Sequence, residues 1–288
     1  MGTKHSGRII LLPFPRPARL CAPALLFTLL LPVQALHAQA SPPAAPSSAP
    51  PTDLLPLKKA LFPLSGEGLL QSDSNLQMSG SKQGLSFTFR EEVKVIAKRP
   101  NRFRAELTQF SAAGVPQQKL LVVCDGSRVW TYRPGTKRYS VRSFAAFEAA
   151  DDDVTALGLV VGGFFIGDAH ALAQALQIIT RADSADFLAG LGDKGATISS
   201  RTESAGGHDS LVYRMTLGRQ GLAYRFAVDP ATGQLTQAEL TGAQKGIQIG
   251  FKETLTRLQV PAATPPGTFR FFPPPGAVKA ADVPVDPF

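Results

Sequence analysis

The chain has 288 residues, 30 Lys and Arg against 22 Asp and Glu for a formal charge of +8, and 44% apolar residues. That apolar content rules out a wholly disordered chain and is enough for one large packed domain. Two cysteines exclude a disulfide-built scaffold.

At the N-terminus, Lys4, Arg8, Arg16 and Arg19 precede an uncharged apolar run over residues 20–33. A transmembrane helix needs roughly 20 apolar residues, so this shorter run, followed by Ala38-Gln39-Ala40, reads as an export signal cleaved after Ala40. The rival readings are weaker: Pro23 and Pro32 interrupt an uncleaved anchor, and Cys21 stands at the start of the apolar run, where a lipidation signal does not place it. Residues 1–40 hold four of the basic residues and no acid, which leaves 26 basic against 22 acidic residues and a charge of +4. Half of the basic excess is therefore leader, which argues against nucleic acid as a partner. Beyond the leader Cys124 is the single cysteine, so no intrachain disulfide is expected there.

Residues 41–56 are dominated by Pro, Ala and Ser and read as a tether, with the folded domain over 57–288. Residues 54–62 suit one short amphipathic helix interrupted by Pro56, and 66–78 a weak first strand or irregular edge. From Leu85 the pattern turns period-2: Leu85, Phe87, Phe89, Glu91, Val93 and Val95 share one face of a long strand. Glu91 is out of place on that face, which suggests a bulge or an exposed rim. Phe103, Ala105 and Leu107 alternate with charged residues in a second strand after the Pro100-Asn101 break. Residues 120–124 and 129–132 flank Asp125-Gly126, a dipeptide suited to a tight hairpin turn. A further strand follows at 137–141, and five more are expected at 196–201, 211–217, 222–228, 234–240 and 247–255.

Between the two strand sets, residues 144–191 change period. Asp151, Asp152 and Asp153 suit a helix start, residues 154–166 carry no charge, and Asp168 is a second cap before Leu172, Ala175, Leu176 and Ile179 at helical spacing. An apolar helical insertion in an antiparallel protein must pack on the sheet or cover something lying on it. The fold class expected is thus mainly β (α+β), a curved antiparallel sheet with a helical cover.

The catalytic constellations fail on geometry. Residues 190–195 match G-x-G-x-x-G, but a dinucleotide site needs the strand before and the helix after, the reverse of the order here. His208, Asp209 and Ser210 are consecutive and cannot face one another as a relay. Glu91 and Glu92 point to opposite faces of a strand. His170 and His208 with one cysteine offer no zinc spacing, and Cys124, between apolar neighbours, reads as a small buried side chain. No enzyme, cofactor or metal is expected.

Three segments carry a resemblance. Residues 95–109, with Lys98-Arg99-Pro100-Asn101 followed by Phe103, look like a hydrophobic-x-x-K-R-P-N-x-F strand-turn-strand. Residues 121–134, with Asp125-Gly126, Trp130, Tyr132 and Pro134, look like a V-x-D-G-x-x-L-W-x-Y-x-P hairpin. Residues 269–277 look like a closing F-x-F-x-P-P-x-G strand and tail. In this order, in an exported chain, they resemble the LolA-like family of periplasmic outer-membrane lipoprotein carriers.

The resemblance implies a periplasmic monomer, an incomplete β-barrel under a helical lid, and an apolar cavity for acyl chains, lined here by Phe87, Phe89, Phe103, Leu107, Trp130, Tyr132, Phe164 and Phe165. It also implies that Arg99 latches the lid by hydrogen bonding. The partners implied are lipoprotein acyl chains or lipid, an inner-membrane donor complex and an outer-membrane acceptor. The family's next aromatic is Ala105 here and the insertion is long, which leaves the cargo open between a lipoprotein and another lipid. A lipid- or lipoprotein-sensing module acting on a membrane partner is the alternative function.

Overall fold

The computed structural model describes residues 53–66, 68–82, 85–150, 156–166, 196–217, 222–244 and 247–285. The expected leader, the tether up to residue 52, the cap at 151–153, the helix from 168, His170 and the turn at 190–195 lie outside these residues.

Two antiparallel meanders make the sheet. The first runs β1 (Leu69–Lys82), β2 (Leu85–Lys98), β3 (Arg102–Phe110), β4 (Pro116–Asp125), β5 (Arg128–Arg133) and β6 (Arg138–Ser143). The second runs β7 (Ala196–Ala205), β8 (His208–Leu217), β9 (Leu222–Val228), β10 (Leu235–Gln244) and β11 (Ile247–Gln259). The pairing of β1 with β11 joins them, and the two-residue β12 (Val278–Lys279) adds in parallel to β6. The order is β12-β6-β5-β4-β3-β2-β1-β11-β10-β9-β8-β7, twelve strands among the described residues, with β12 and β7 as separate edges. The sheet is therefore an incomplete barrel, as the resemblance implies, and its antiparallel order is the one the alternating pattern predicts.

Of the two readings of residues 66–78, a weak first strand or an irregular edge, the first strand is what forms, and it lies in the middle of the sheet. β1 is 14 residues long and pairs with β2 on one side and β11 on the other. Its inward row runs Leu70, Ser72, Ser74 and Leu76, with Ser72 and Ser74 buried, so polar residues on both faces dilute the alternation that marks its neighbours. The expected bulge at Glu91 is also absent: β2 pairs regularly with β1 and β3, and Glu91 faces inward at 1% exposure.

The Asp125-Gly126 turn forms as expected. Gly126 takes a φ of +109°, and the Asp125 carboxylate accepts the Ser127 and Arg128 N–H groups, each at 2.9 Å. Burial is the largest single effect and raises its pKa, but those two bonds, the Ser127 hydroxyl and the Arg128 guanidinium together outweigh it and hold the pKa below the ordinary 3.8.

The inward face is covered by short helical pieces. α1 (Leu55–Leu61) packs on β9 and β10 and leads into a tight 3₁₀ turn, Phe62–Ser65. Pro56 lies in the first turn of α1, where its missing N–H has no helical partner to lose, so it starts the helix where an interruption was expected. Leu54 is buried and the Tyr213 hydroxyl donates to Asp53 O at 2.9 Å, which brings the end of the expected tether into the fold. α2 (Phe144–Glu148) is capped by Ser143, whose Oγ accepts the Ala146 N–H at 3.2 Å, and lies on β5 and β6. The segment Gly158–Ile166 coils in wide π-type turns across β2, β1, β11 and β10. Apolar all round, it has no face to offer water, and nearly all of it is buried.

The outward face of β7–β11 is charged. Glu203 bridges Arg201 and Arg225, and Arg225 reaches Glu239, which faces Lys252. After β11 the chain crosses the outward face of the first meander. Residues 269–277, expected as a closing strand and tail, run irregularly with short turns and form no strand, and among the described residues after β11 the strand pairing is that of β12 beside β6.

Candidate functional site: the covered inner face

The inward rows of both meanders build the site. Phe89, Val93, Val95 and Ala97 of β2 stand beside Phe103, Ala105 and Leu107 of β3, and then Leu120, Val122 and Cys124 of β4, all buried. On the other flank Tyr224 and Phe226 of β9 present stacked rings 6.3 Å apart. The covering segments supply the matching rings: Phe164 lies 6.3 Å from Tyr224 and 6.1 Å from Phe226, and Phe147 of α2 lies 5.7 Å from Phe103. Burial of each large apolar side chain is worth ~1.5–3 kcal/mol. Cover and sheet thus hold each other mainly through apolar contact.

Polar groups fasten the cover at both ends. Where Gly158–Ile166 begins, the Glu253 side chain of β11 points up from the inner face at 0% exposure. Its Oε2 accepts the Val160 N–H at 2.6 Å, answering one of the backbone donors that a helical start leaves open. Gly158 makes room for this carboxyl. Its φ is +95°, and a β-carbon there would stand 2.6 Å from Glu253 Oε1. Where the segment ends, Arg99 in the β2–β3 turn lies with its guanidinium carbon 4.6 Å from the centre of the Phe165 ring. It donates from Nε to Phe165 O at 3.4 Å and from Nη1 to Gly66 O at 3.2 Å.

Burial pushes the acidity of Glu253 down, raising its pKa above the ordinary 4.5, while the Val160 N–H, the Ser74 hydroxyl and the Leu159 N–H oppose that shift. An acid whose folded pKa is raised binds its proton more tightly when folded. Its stabilising contribution is full below pH 4.5 and fades as pH rises through the raised value. Glu253→Gln removes this titration, so the melting temperature of the variant relative to wild type should climb as the pH rises above 4.5. Paired thermal melts across that range check it, and a constant difference would contradict it. The same burial pushes the Cys124 thiol up to about 11, so it stays protonated and unreactive at neutral pH.

The residues expected to line the site divide. Phe89, Phe103 and Leu107 are buried on the inner face, and Phe164 and Phe165 belong to its cover. Phe87 has the same parity but stands near the start of β2, 44% exposed, its ring laid over Gly80 of β1, which has no side chain to block it. Trp130 and Tyr132 are on the other side of the sheet. The inward residues of β5 are Val129 and Thr131, while Trp130 and Tyr132 face outward with Tyr139 against Phe271, ring centres 5.5–6.3 Å apart. That corrects their expected place: the returning C-terminal segment covers the outward face here, so β5 is sheltered on both faces. Glu253, Gly158, Phe147, Tyr224 and Phe226 were not expected at the site. The signal for Glu253 is the one Glu91 gives, a carboxylate at an inward position between apolar residues, here Phe251 and Leu255.

Among the described residues, no group of three or more His, Cys, Asp or Glu stands close enough to hold a metal ion. Where β3 ends and β4 begins, a cavity of about 350 Å³ is lined by Phe89, Gln109, Phe110, Gln117 and Gln118.

No family model matches the chain, and no curated protein matches it. Several solved structures do. An outer membrane lipoprotein-sorting protein domain from Vibrio parahaemolyticus is 12% identical over 75% of this chain and 95% of that one, with a TM-score of 0.30. LprF from Mycobacterium bovis is 10% identical over 74% and 95%, at 0.35. A LolA superfamily protein from Nitrosomonas europaea is 13% identical over 76% and 97%, at 0.29. These are likenesses at low identity and low TM-score, and both the fold and the chemistry of the site are read from this chain's own strand order and residues.

Proposed function

We propose that the protein is an exported, periplasmic carrier, without enzymatic activity, that shelters the acyl chains of a lipoprotein or lipid on the inner face of the sheet and delivers them towards the outer membrane. The observation that carries this reading is the closure itself. An aromatic-lined sheet face is covered by short helical segments, fastened through Glu253 at one end and Arg99 at the other. A lid joined to a sheet by apolar contact and two polar fastenings exchanges readily for another apolar occupant. A 16-carbon chain offers ~12 kcal/mol of gross burial at ~0.8 kcal/mol per methylene. Displacing the lid offsets part of that, which keeps binding reversible.

In this reading Arg99 is the latch of the closed state, Phe89, Phe103, Leu107, Phe164 and Phe165 line the space that opens, and Phe87 stands at its rim. Transfer of pyrene-labelled phosphatidylglycerol from donor to acceptor vesicles tests it. A carrier raises the transfer rate in proportion to protein concentration, roughly tenfold over spontaneous exchange at micromolar protein. Lipid binding without faster transfer would favour the sensing module, and absence of both would overturn the reading.

A further inference from the structure

The last described residues do something the acyl-chain reading does not require. After β12 the chain turns over the β6 edge and crosses the inner face from β6 towards β3. Three side chains from three strands meet the backbone of three successive residues. The Val283 N–H donates to Ser140 Oγ at 3.1 Å, Arg133 Nη2 donates to Pro284 O at 3.2 Å, and Gln109 Nε2 donates to Val285 O at 3.2 Å. Val283 and Val285 are buried in the core while Pro284 between them is exposed. Gln118 Nε2 donates to the Gln109 side-chain oxygen, which turns the Gln109 amide N–H towards the strap.

This is recognition of an extended backbone. The groove accepts one N–H, supplies donors to two carbonyls and takes a small branched side chain at alternate positions, the period of an extended segment. It asks no N–H of the middle residue, where proline stands. An alkyl chain meets none of these demands. In its place it would leave the buried Gln109 and Ser140 without their partners, at a cost of ~1–3 kcal/mol each.

We propose that this end of the inner face is a peptide-binding subsite for an extended apolar–x–apolar segment, that residues 283–285 are its resident occupant, and that a segment of that pattern from another polypeptide exchanges with them. A tethered occupant competes at a millimolar effective concentration, so the site is masked until the strap is released.

The test is lipid-free, so its outcome is independent of whether acyl chains bind. A fluorescein-labelled synthetic peptide of residues 279–288 is titrated by anisotropy against the full chain, a chain ending at Asp282, and full-length Val285→Asp, which sets a charge in the strap's buried pocket. Both altered chains should bind at least tenfold more tightly than the full chain, and adding Gln109→Leu to the truncated chain should weaken binding about tenfold. Folded variants that bind no better than the full chain would overturn the proposal. On the wild-type chain, excess unlabelled peptide should strip hydrogen-exchange protection from the Val283 amide. Unchanged protection at millimolar peptide would overturn it whether or not the variants fold.

Discussion

Gly158→Ala is expected to lower the melting temperature by about 5–15 °C and to make the protein bind a hydrophobic dye such as ANS. One added methyl group does this because it meets two obstacles at once. Residue 158 has a φ of +95°, and a side chain held in that left-handed region costs ~1–3 kcal/mol. The new carbon would also stand 2.6 Å from Glu253 Oε1, so the carboxyl must leave the Val160 N–H, and a buried group stripped of its partner costs a further ~1–3 kcal/mol. The cheapest relief is for Gly158–Ile166 to lift from the sheet, which uncovers Tyr224 and Phe226. Gly163→Ala is the internal control. A β-carbon there would meet only the Leu159 side chain, at an ordinary 3.8 Å, so it should change the melting temperature by no more than about 2 °C.

Arg99→Leu should act on cargo with little effect on folding. Its contacts with Phe165 and Gly66 exist in the closed state, with the lid down on the sheet. Together two partly exposed hydrogen bonds and one cation–π contact are worth ~1–2 kcal/mol. Removing them destabilises the closed state and leaves the open, loaded state untouched, so the equilibrium shifts towards loading. Acyl-chain affinity should rise about tenfold, and delivery to acceptor vesicles should slow by a similar factor. Stopped-flow transfer from pre-loaded protein measures this. Arg99→Lys, which keeps the charge and loses the planar fork, should fall between wild type and Leu. An affinity unchanged by Arg99→Leu would remove Arg99 from the latch.

Most of the sheet was legible because most of its strands are half-buried. Where one face is apolar and the other charged, as in Phe103, Ala105 and Leu107 against Arg102, Arg104 and Glu106, period-2 alternation marks both the strand and its inward face. The misreadings within the sheet share one cause, a departure from that rule. β1 carries Ser72 and Ser74 inward, so it resembled a weak strand or an edge although it joins the two meanders. β5 is covered on both sides, so alternation cannot rank its faces, and Trp130 and Tyr132 drew the reading inward although Phe271 covers them outward. Glu91 and Glu253 are inward carboxylates, and a local pattern does not show that a covering segment more than 90 residues away in sequence meets Glu253. Arg99 was named from a resemblance, and its neighbours Phe165 and Gly66 lie 66 and 33 residues away in sequence, beyond what spacing alone specifies. The strap at 283–285 left no local signal, because its hydrogen bonds are made by its backbone.

The central claim is that the covered inner face takes acyl chains. Native mass spectrometry of gently purified protein, before and after incubation with phospholipid or a lipidated peptide, addresses it most directly. The expected spectrum shows the protein with one bound acylated species, retained at low collision energy, and more strongly retained in Arg99→Leu. A spectrum of bare protein throughout, with wild type and Arg99→Leu alike after lipid incubation, would contradict it.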